Sequence, residues 1–431
     1  MSRKRLWVGG APDDPGVDDL IWRRPADGPS SFQANIDPGL KALGPVGREN
    51  RDAVWLATSV FLADRTTRRR KGWRREISLS VPVALPRRWR AVREDLEGAL
   101  NFLTSDFWTL EFTEAAITDT KGKPTPRPEI DVVSLFSGGA DSMCGAVKLL
   151  AEGHRVALVS HWDWTGHAGI QQQLAHELRE RLKLDIQHIQ HRQIQLGRGS
   201  RQIDGSAFPD EPSRRSRSLL FLSLGLAVAS IEPVVPLWIP ENGFASLNPP
   251  LAPERLGALS TRTTHPSVLR SLREVLAAVG AHADLGNPFE AATKGEMFAE
   301  VASLLGRQEA ADLLSKTHSC AHVRLAGMFQ RPPQTHCGAC FGCFIRRAAF
   351  VSSGLDDGTM YLITDLSGAD LNRFLRTPMV RADIEAVRYA VTRTLTPADA
   401  LALSLPDGYD IAQAWDLIQR GFAELRQVEL P

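Results

Sequence analysis

Apolar and polar positions along the chain follow two periods. Glu76 to Val83 (EISLSVPV) and Phe107 to Phe112 (FWTLEF) alternate as strands with one buried face do, whereas Trp89, Val92, Leu96, Leu100 and Leu103 recur near helical spacing. Asp52 to Asp64 (DAVWLATSVFLAD) is apolar enough for a buried helix. Together these predict a small α+β module, led by a Gly/Pro-rich segment that wraps a surface. Thr120 to Pro128, with Pro124, Pro126 and Pro128 beside Lys121, Gly122 and Lys123, supports neither helix nor central strand. The reading therefore divides the chain into an accessory domain (1–125), a second domain (126–350) and an extension (351–431).

In the second domain the apolar runs are short and nearly continuous: Ile130 to Phe136, Arg155 to Ser160 (RVALVS), Ile186 to Ile189 and Val234 to Ile239 (VVPLWI). Between and after them come helical patterns at Met143–Leu150, Gly169–Leu182, Leu219–Ala229, Val268–Val279 and Thr293–Leu305. Strands and helices alternating at crossover lengths predict an α/β fold with a doubly wound parallel sheet. After Phe350, amphipathic segments at Asp370–Leu375, Arg381–Leu395 and Tyr409–Leu425 predict a helical extension that carries no ligand-like cluster.

Composition narrows the function classes. The hydrophobic fraction of 43% suits a globular chain, and 51 Lys+Arg against 50 Asp+Glu removes the overall field of an obligate nucleic-acid binder. One local exception is Arg65 to Arg75, with seven basic residues among eleven and Trp73 inside it. It reads as a solvated hairpin or loop, the sharper alternative being a contact for RNA or DNA phosphates or an acidic partner. The basic N-terminus is not followed by an apolar signal region, and the longest apolar stretch, Leu219 to Ile231, is too short to span a bilayer. A cytoplasmic protein is expected.

Candidate chemistry begins at Ser137-Gly138-Gly139-Ala140-Asp141-Ser142, between a predicted strand and a predicted helix. Unpaired N–H groups, a helix dipole and two hydroxyls converge there, so an anion is stabilised. His161, Trp162 and Asp163, just after the second strand, fall near a nucleotide bound at that edge, Trp162 reading equally as a core aromatic. Arg217 and Lys294 each stand at the start of a helix, where a cation opposes the dipole, which makes both candidate phosphate ligands, the alternatives being an acidic neighbour for Arg217 and simple exposure for Lys294. The loop from Glu241 and Asn242 to Pro266, holding Asn248, Arg255, Ser260, Thr261, Arg262, Thr263, Thr264 and His265, reads as a substrate-binding or lid segment. Cys320, Cys337, Cys340 and Cys343 have the spacing of a closed, structural zinc site, with an iron–sulfur cluster as the alternative. His318, His322 and His336 flank them, and Cys144 reads as a packed core thiol.

These motifs resemble two known patterns. The loop is similar to the SGGxDS loop of the N-type ATP pyrophosphatases. Residues 130 to 350 resemble the QueC family, the 7-cyano-7-deazaguanine synthases, through that loop, Thr293-Lys294, Arg217 with Phe221-Leu222-Ser223, Thr317-His318-Ser319-Cys320, and Cys337-Gly338-Ala339-Cys340-Phe341-Gly342-Cys343 with Arg346. Ser218 departs from that family's asparagine, and its Tyr-Pro-Asp-Cys-Arg substrate string is absent. The added segments make the chain similar to the longer, QatC-type proteins of bacterial anti-phage operons.

The resemblance implies ATP, Mg²⁺ and Zn²⁺ and a deazapurine-type substrate whose carboxyl is adenylated. It further implies Ser137, Gly138, Gly139, Asp141, Ser142 and His161 at the nucleotide, Asp141, Ser142, Lys294 and Arg217 in catalysis, and the four cysteines on the metal. Glu241, Asn242, Arg262 and His265 are the expected substrate residues, and the expected amine acceptor is ammonia or a partner protein of the same operon.

Overall fold

The computed structural model describes residues 2–8, 19–22, 30–34, 45–69, 74–115, 129–251 and 262–429, apart from 164, 186, 200, 203, 209–210, 212–214, 232, 333, 367–370 and 372–377. Four sequence readings fall wholly or largely outside them: the Pro-rich linker through Pro128, the middle of the basic run, Arg255 to Thr261, and all of 370–375 except Leu371. Two sheets organise the remainder.

The first sheet has four strands in the order β2-β1-β4-β5, where β1 is Ser2–Val8, β2 Asp19–Trp22, β4 Glu76–Val83 and β5 Phe107–Glu114. All its neighbouring strands run parallel. The N-terminal lead, expected to wrap a surface, instead begins with a strand inside this sheet. Lys4 and Leu6 alternate inward, and Arg5 meets Asp19 of the adjacent strand at 3.0 Å. Its charges had hidden a period-two pattern.

The second sheet has the order β10-β9-β6-β7-β8-β3, with β3 at Phe32–Ala34, β6 at Val132–Leu135, β7 at Val156–Trp162, β8 at Ile189–Arg198, β9 at Leu237–Trp238 and β10 at Leu285–Gly286. Every pairing is parallel except that of β3 with β8. Period-two geometry sends Val132, Val156, Leu158 and Ile189 into a core with the helices Ala140–Ala151 and Thr165–Leu182. Val133, Leu135, Ala157, Val159, Ile194 and Leu196 enter the opposite core, with the helices Arg48–Thr66 and Arg217–Ala229. Both faces are covered, which is why these strands read as continuous apolar runs. The expected doubly wound α/β sheet is present, and the helix Arg48–Thr66 packs the first sheet and the second into one core.

The helical C-terminal part contains Pro378–Thr392, Ala398–Leu401 and Ile411–Leu425. Val380, Ile384, Leu417, Ile418 and Phe422 share a core with the four clustered cysteines and with Phe244 and Leu247. No helix among the described residues is long and apolar enough to cross a membrane.

Candidate active site and metal centre

The glycine loop connects β6 to the helix Ala140–Ala151 at the carboxyl edge of the sheet. Gly138 has φ +82°, a conformation that favours glycine, and a side chain there would press on Gln171. The loop's carbonyls are engaged from behind. Ser137 O meets His167 Nε2 at 2.9 Å and accepts from Gln171 Nε2 at 3.3 Å, while Gly138 O accepts from His318 N–H at 2.8 Å. On the other side, among the described residues, the N–H groups of Gly139 and Ala140 meet the hydroxyls of Ser137 and Ser319, at 3.2 and 3.4 Å. Ser142 Oγ donates to Gly139 O at 2.9 Å and stands 3.3 Å from Ser137 Oγ. Long contacts to hydroxyls are ones an anion can replace.

In front of the loop lies a cleft of about 450 Å³ lined by Ser137, Asp141, Glu241, Lys294, His322 and Asp383, among others. Asp141 Oδ1 is 2.7 Å from Lys294 Nζ, and its Oδ2 accepts from Asn242 Nδ2 at 2.8 Å. Burial alone would raise Asp141, but Lys294 and the hydrogen bonds around it hold the carboxyl below its ordinary range. Glu241 faces the same carboxylate. Burial first, and then the charge of Asp141, push it well above the usual value. Two apposed carboxyls lining one cleft, with Lys294 beside Asp141, form a donor set that fits a hard divalent ion such as Mg²⁺. Asn242 also starts the short helix Gly243–Leu247 by accepting from Ala245 N–H at 2.8 Å, so part of the long polar loop is ordered beside the cleft.

Other expected residues stand elsewhere. Arg217 donates from Nε to His161 Nδ1 at 3.4 Å, and His161 Nε2 faces Leu196 O at 2.8 Å. This pair lies beside His167, behind the loop. Burial and the Arg217 charge press His161 down to about 3, so its ring is neutral. Arg262 donates to Phe102 O at 2.8 Å and lies over the Phe102 ring, and His265 Nε2 faces Leu403 O at 2.9 Å. Both join the loop to neighbouring segments and neither lines the cleft.

Asn248, of the loop read as substrate-binding, lines the cleft, and so do His318, Ser319, His322 and Asp383, which had not been assigned there. Ser319 and His318 precede Cys320, a local signal. Asp383, on a helix expected only to pack, meets His322 Nε2 at 3.0 Å and brings one carboxylate of the extension to the cleft.

In the basic run, Arg75 pairs with Asp64 and, at 2.6 Å, with Asp106, while Arg69 meets Asp106 at 2.7 Å. These two arginines serve the interior.

The cysteine reading finds a compact cluster. The sulfurs of Cys320, Cys337, Cys340 and Cys343 all lie within 4.8 Å of one another and all are buried. A tetrahedron with metal–sulfur bonds of about 2.3 Å has edges of about 3.8 Å, and Cys337 and Cys343 are 3.8 Å apart. Backbone N–H groups of His322 and Cys337 point at Cys320 Sγ, both at 3.3 Å, and that of Cys340 at Cys337 Sγ, at 3.2 Å, stabilising thiolates. The set is compatible with a structural zinc ion. Cys144 is buried, and burial raises its thiol well above the ordinary value, consistent with a packing role.

No family model matches the chain. Among curated proteins it is 28% identical over 252 residues to 7-cyano-7-deazaguanine synthase 1 of Sphingopyxis alaskensis, covering 53% of this chain and 97% of that protein. It is likewise 28% identical over 253 residues to 7-cyano-7-deazaguanine synthase of Novosphingobium aromaticivorans, covering 55% and 97%. A phosphate-type loop, a four-cysteine cluster and nearly full coverage of these two relatives together support a QueC-like chain, extended by segments that they lack.

Proposed function

We propose that the chain is an ATP-dependent ligase that adenylates the carboxyl of a deazapurine such as 7-carboxy-7-deazaguanine and passes the acyl group to an amine. The carboxylate oxygen attacks the α-phosphorus and expels pyrophosphate. Nitrogen then attacks the acyl carbon, AMP leaves, and the nitrogen loses a proton to give the amide. A second adenylation, at the amide oxygen with release of pyrophosphate, followed by departure of AMP and a proton, would give the nitrile. The observation that carries this reading is the meeting of Asp141, Glu241 and Lys294 at the mouth of the glycine loop. Ser137, Gly139 and Ser142 would hold the phosphates, with Mg²⁺ held by Asp141 and Glu241 to neutralise charge on the departing pyrophosphate.

The amine belongs either to ammonia or, in the finer form of the proposal, to a partner protein of an anti-phage operon. The segments beyond the relatives' length and the absent Tyr-Pro-Asp-Cys-Arg string support a different acceptor. A tRNA-modifying role gains nothing from Arg69 and Arg75, whose guanidinium groups face buried aspartates. Purified protein with Mg·ATP and 7-carboxy-7-deazaguanine should release AMP and pyrophosphate, and Ser142→Ala should lower the rate by about 10²-fold or more. Equal rates in both proteins, or ATP binding without AMP, would exclude the ligase. Intact-mass measurement of co-expressed operon neighbours separates a protein acceptor from ammonia.

A further inference from the structure

Lys294 occupies the first position of the helix Lys294–Leu305, where its charge opposes the dipole. It is nevertheless buried and fixed on Asp141. The compensation comes from the far end of the chain. Glu424, on the helix Ile411–Leu425, accepts from Thr293 Oγ1 and, at 3.1 Å, from Gly295 N–H, so one carboxylate grips the residues on both sides of Lys294. Gly295 leaves room for this grip: a Cβ there would overlap Ser352 Oγ and the Glu424 carboxylate. One turn earlier, Arg420 pairs with Glu296 at 2.5 Å, adding a second tie to the same helix turn.

The N-terminal segment does the same for the other helix-start cation. Asp64 accepts from Ser216 Oγ at 2.7 Å and from Ser216 N–H at 3.3 Å, immediately before Arg217, while its second oxygen takes Arg75. Arg215 donates to Thr104 O at 2.7 Å, and the Phe61 ring packs edge-on against His161, the partner of Arg217.

We infer that Glu424 and Asp64 are positioning residues: each added segment supplies one carboxylate that sets a helix start and, through it, a cation, Lys294 in the cleft before the glycine loop and Arg217 on His161 behind it. The inference rests on reading Lys294 as a phosphate ligand.

Calorimetry with Mg·ATP alone tests it as a double-mutant cycle. Glu424→Ala should weaken binding about tenfold when Lys294 is present and less than about twofold in a Lys294→Met background, with Glu424→Gln intermediate. Equal losses in both backgrounds, or no loss beside native Lys294, would overturn the proposal. Should Glu424→Ala fail to fold, Glu424→Gln carries the cycle. Should wild type not bind Mg·ATP, the ligase reading fails, and the positioning claim is decided by the Lys294 side-chain resonance in lysine-labelled protein. That signal should lose its ion-pair shift in Glu424→Gln, and an unmoved signal counts against the claim. For the second carboxylate, Ser216→Ala should move the ¹⁵N resonance of His161 Nδ1, and an unchanged resonance removes Asp64 from the proposal.

Discussion

Replacing Cys337 by serine removes a sulfur that accepts from two backbone N–H groups, those of Ala339 and Cys340, and that stands 3.8 Å from Cys343. The expected result is loss of bound zinc by elemental analysis and about 3 kcal/mol or more of stability. Retention of metal and of Tm would contradict the structural assignment. This cluster was legible in the sequence because three ligands fall within one short turn and spacing alone specifies them. Lys294 was legible as an anomaly, a cation where the dipole disfavours one. Asp383 was not, since a single aspartate on an amphipathic helix looks the same whether it faces solvent or a cleft. Arg262 and His265 misled for the converse reason: a polar loop does not announce that Phe102 and Leu403 will lie against it.

Between elements, spacing is set by glycine. On the helix Arg217–Ala229, a Cβ at Gly225 would come 2.7 Å from Leu237 and 2.8 Å from Leu135, side chains of two adjacent strands. Gly225→Ala should push that helix off the sheet and cost about 1–3 kcal/mol, read as a lower denaturant midpoint at unchanged m-value. An unchanged midpoint would show that the helix can shift freely. The strands and helices of the second sheet were readable because both faces are buried and the apolar runs are uninterrupted. The first sheet was only half readable. In β4 and β5 the alternation is clean, but β1 has lysine and arginine at its inward and outward positions, and only pairing between β2 and β4 makes Ser2–Val8 a strand.

Across the whole molecule, burial keeps several histidines neutral. It depresses His161 to about 3, and His167, His191 and His265 to about 4, with the Arg217 charge assisting at the first two. In the unfolded chain each titrates near its ordinary value of about 6.5. The stability they confer is therefore complete above about pH 6.5 and is lost as pH falls toward 4, because only the unfolded chain takes up protons there. Tm should drop steadily over that interval, and His191→Gln should flatten the slope; a flat wild-type profile would refute this. One feature bears on how the chain is made. Phe32 pairs with Arg198, at the far edge of the second sheet, so β3 cannot be seated until β8 has been synthesised. An early strand that must wait for a late one leaves Phe32 without its sheet during translation, a state prone to aggregate. Expression of residues 126–431 alone should for the same reason give insoluble protein, since the edge of β8 and the apolar face of Arg217–Ala229 would both be left bare.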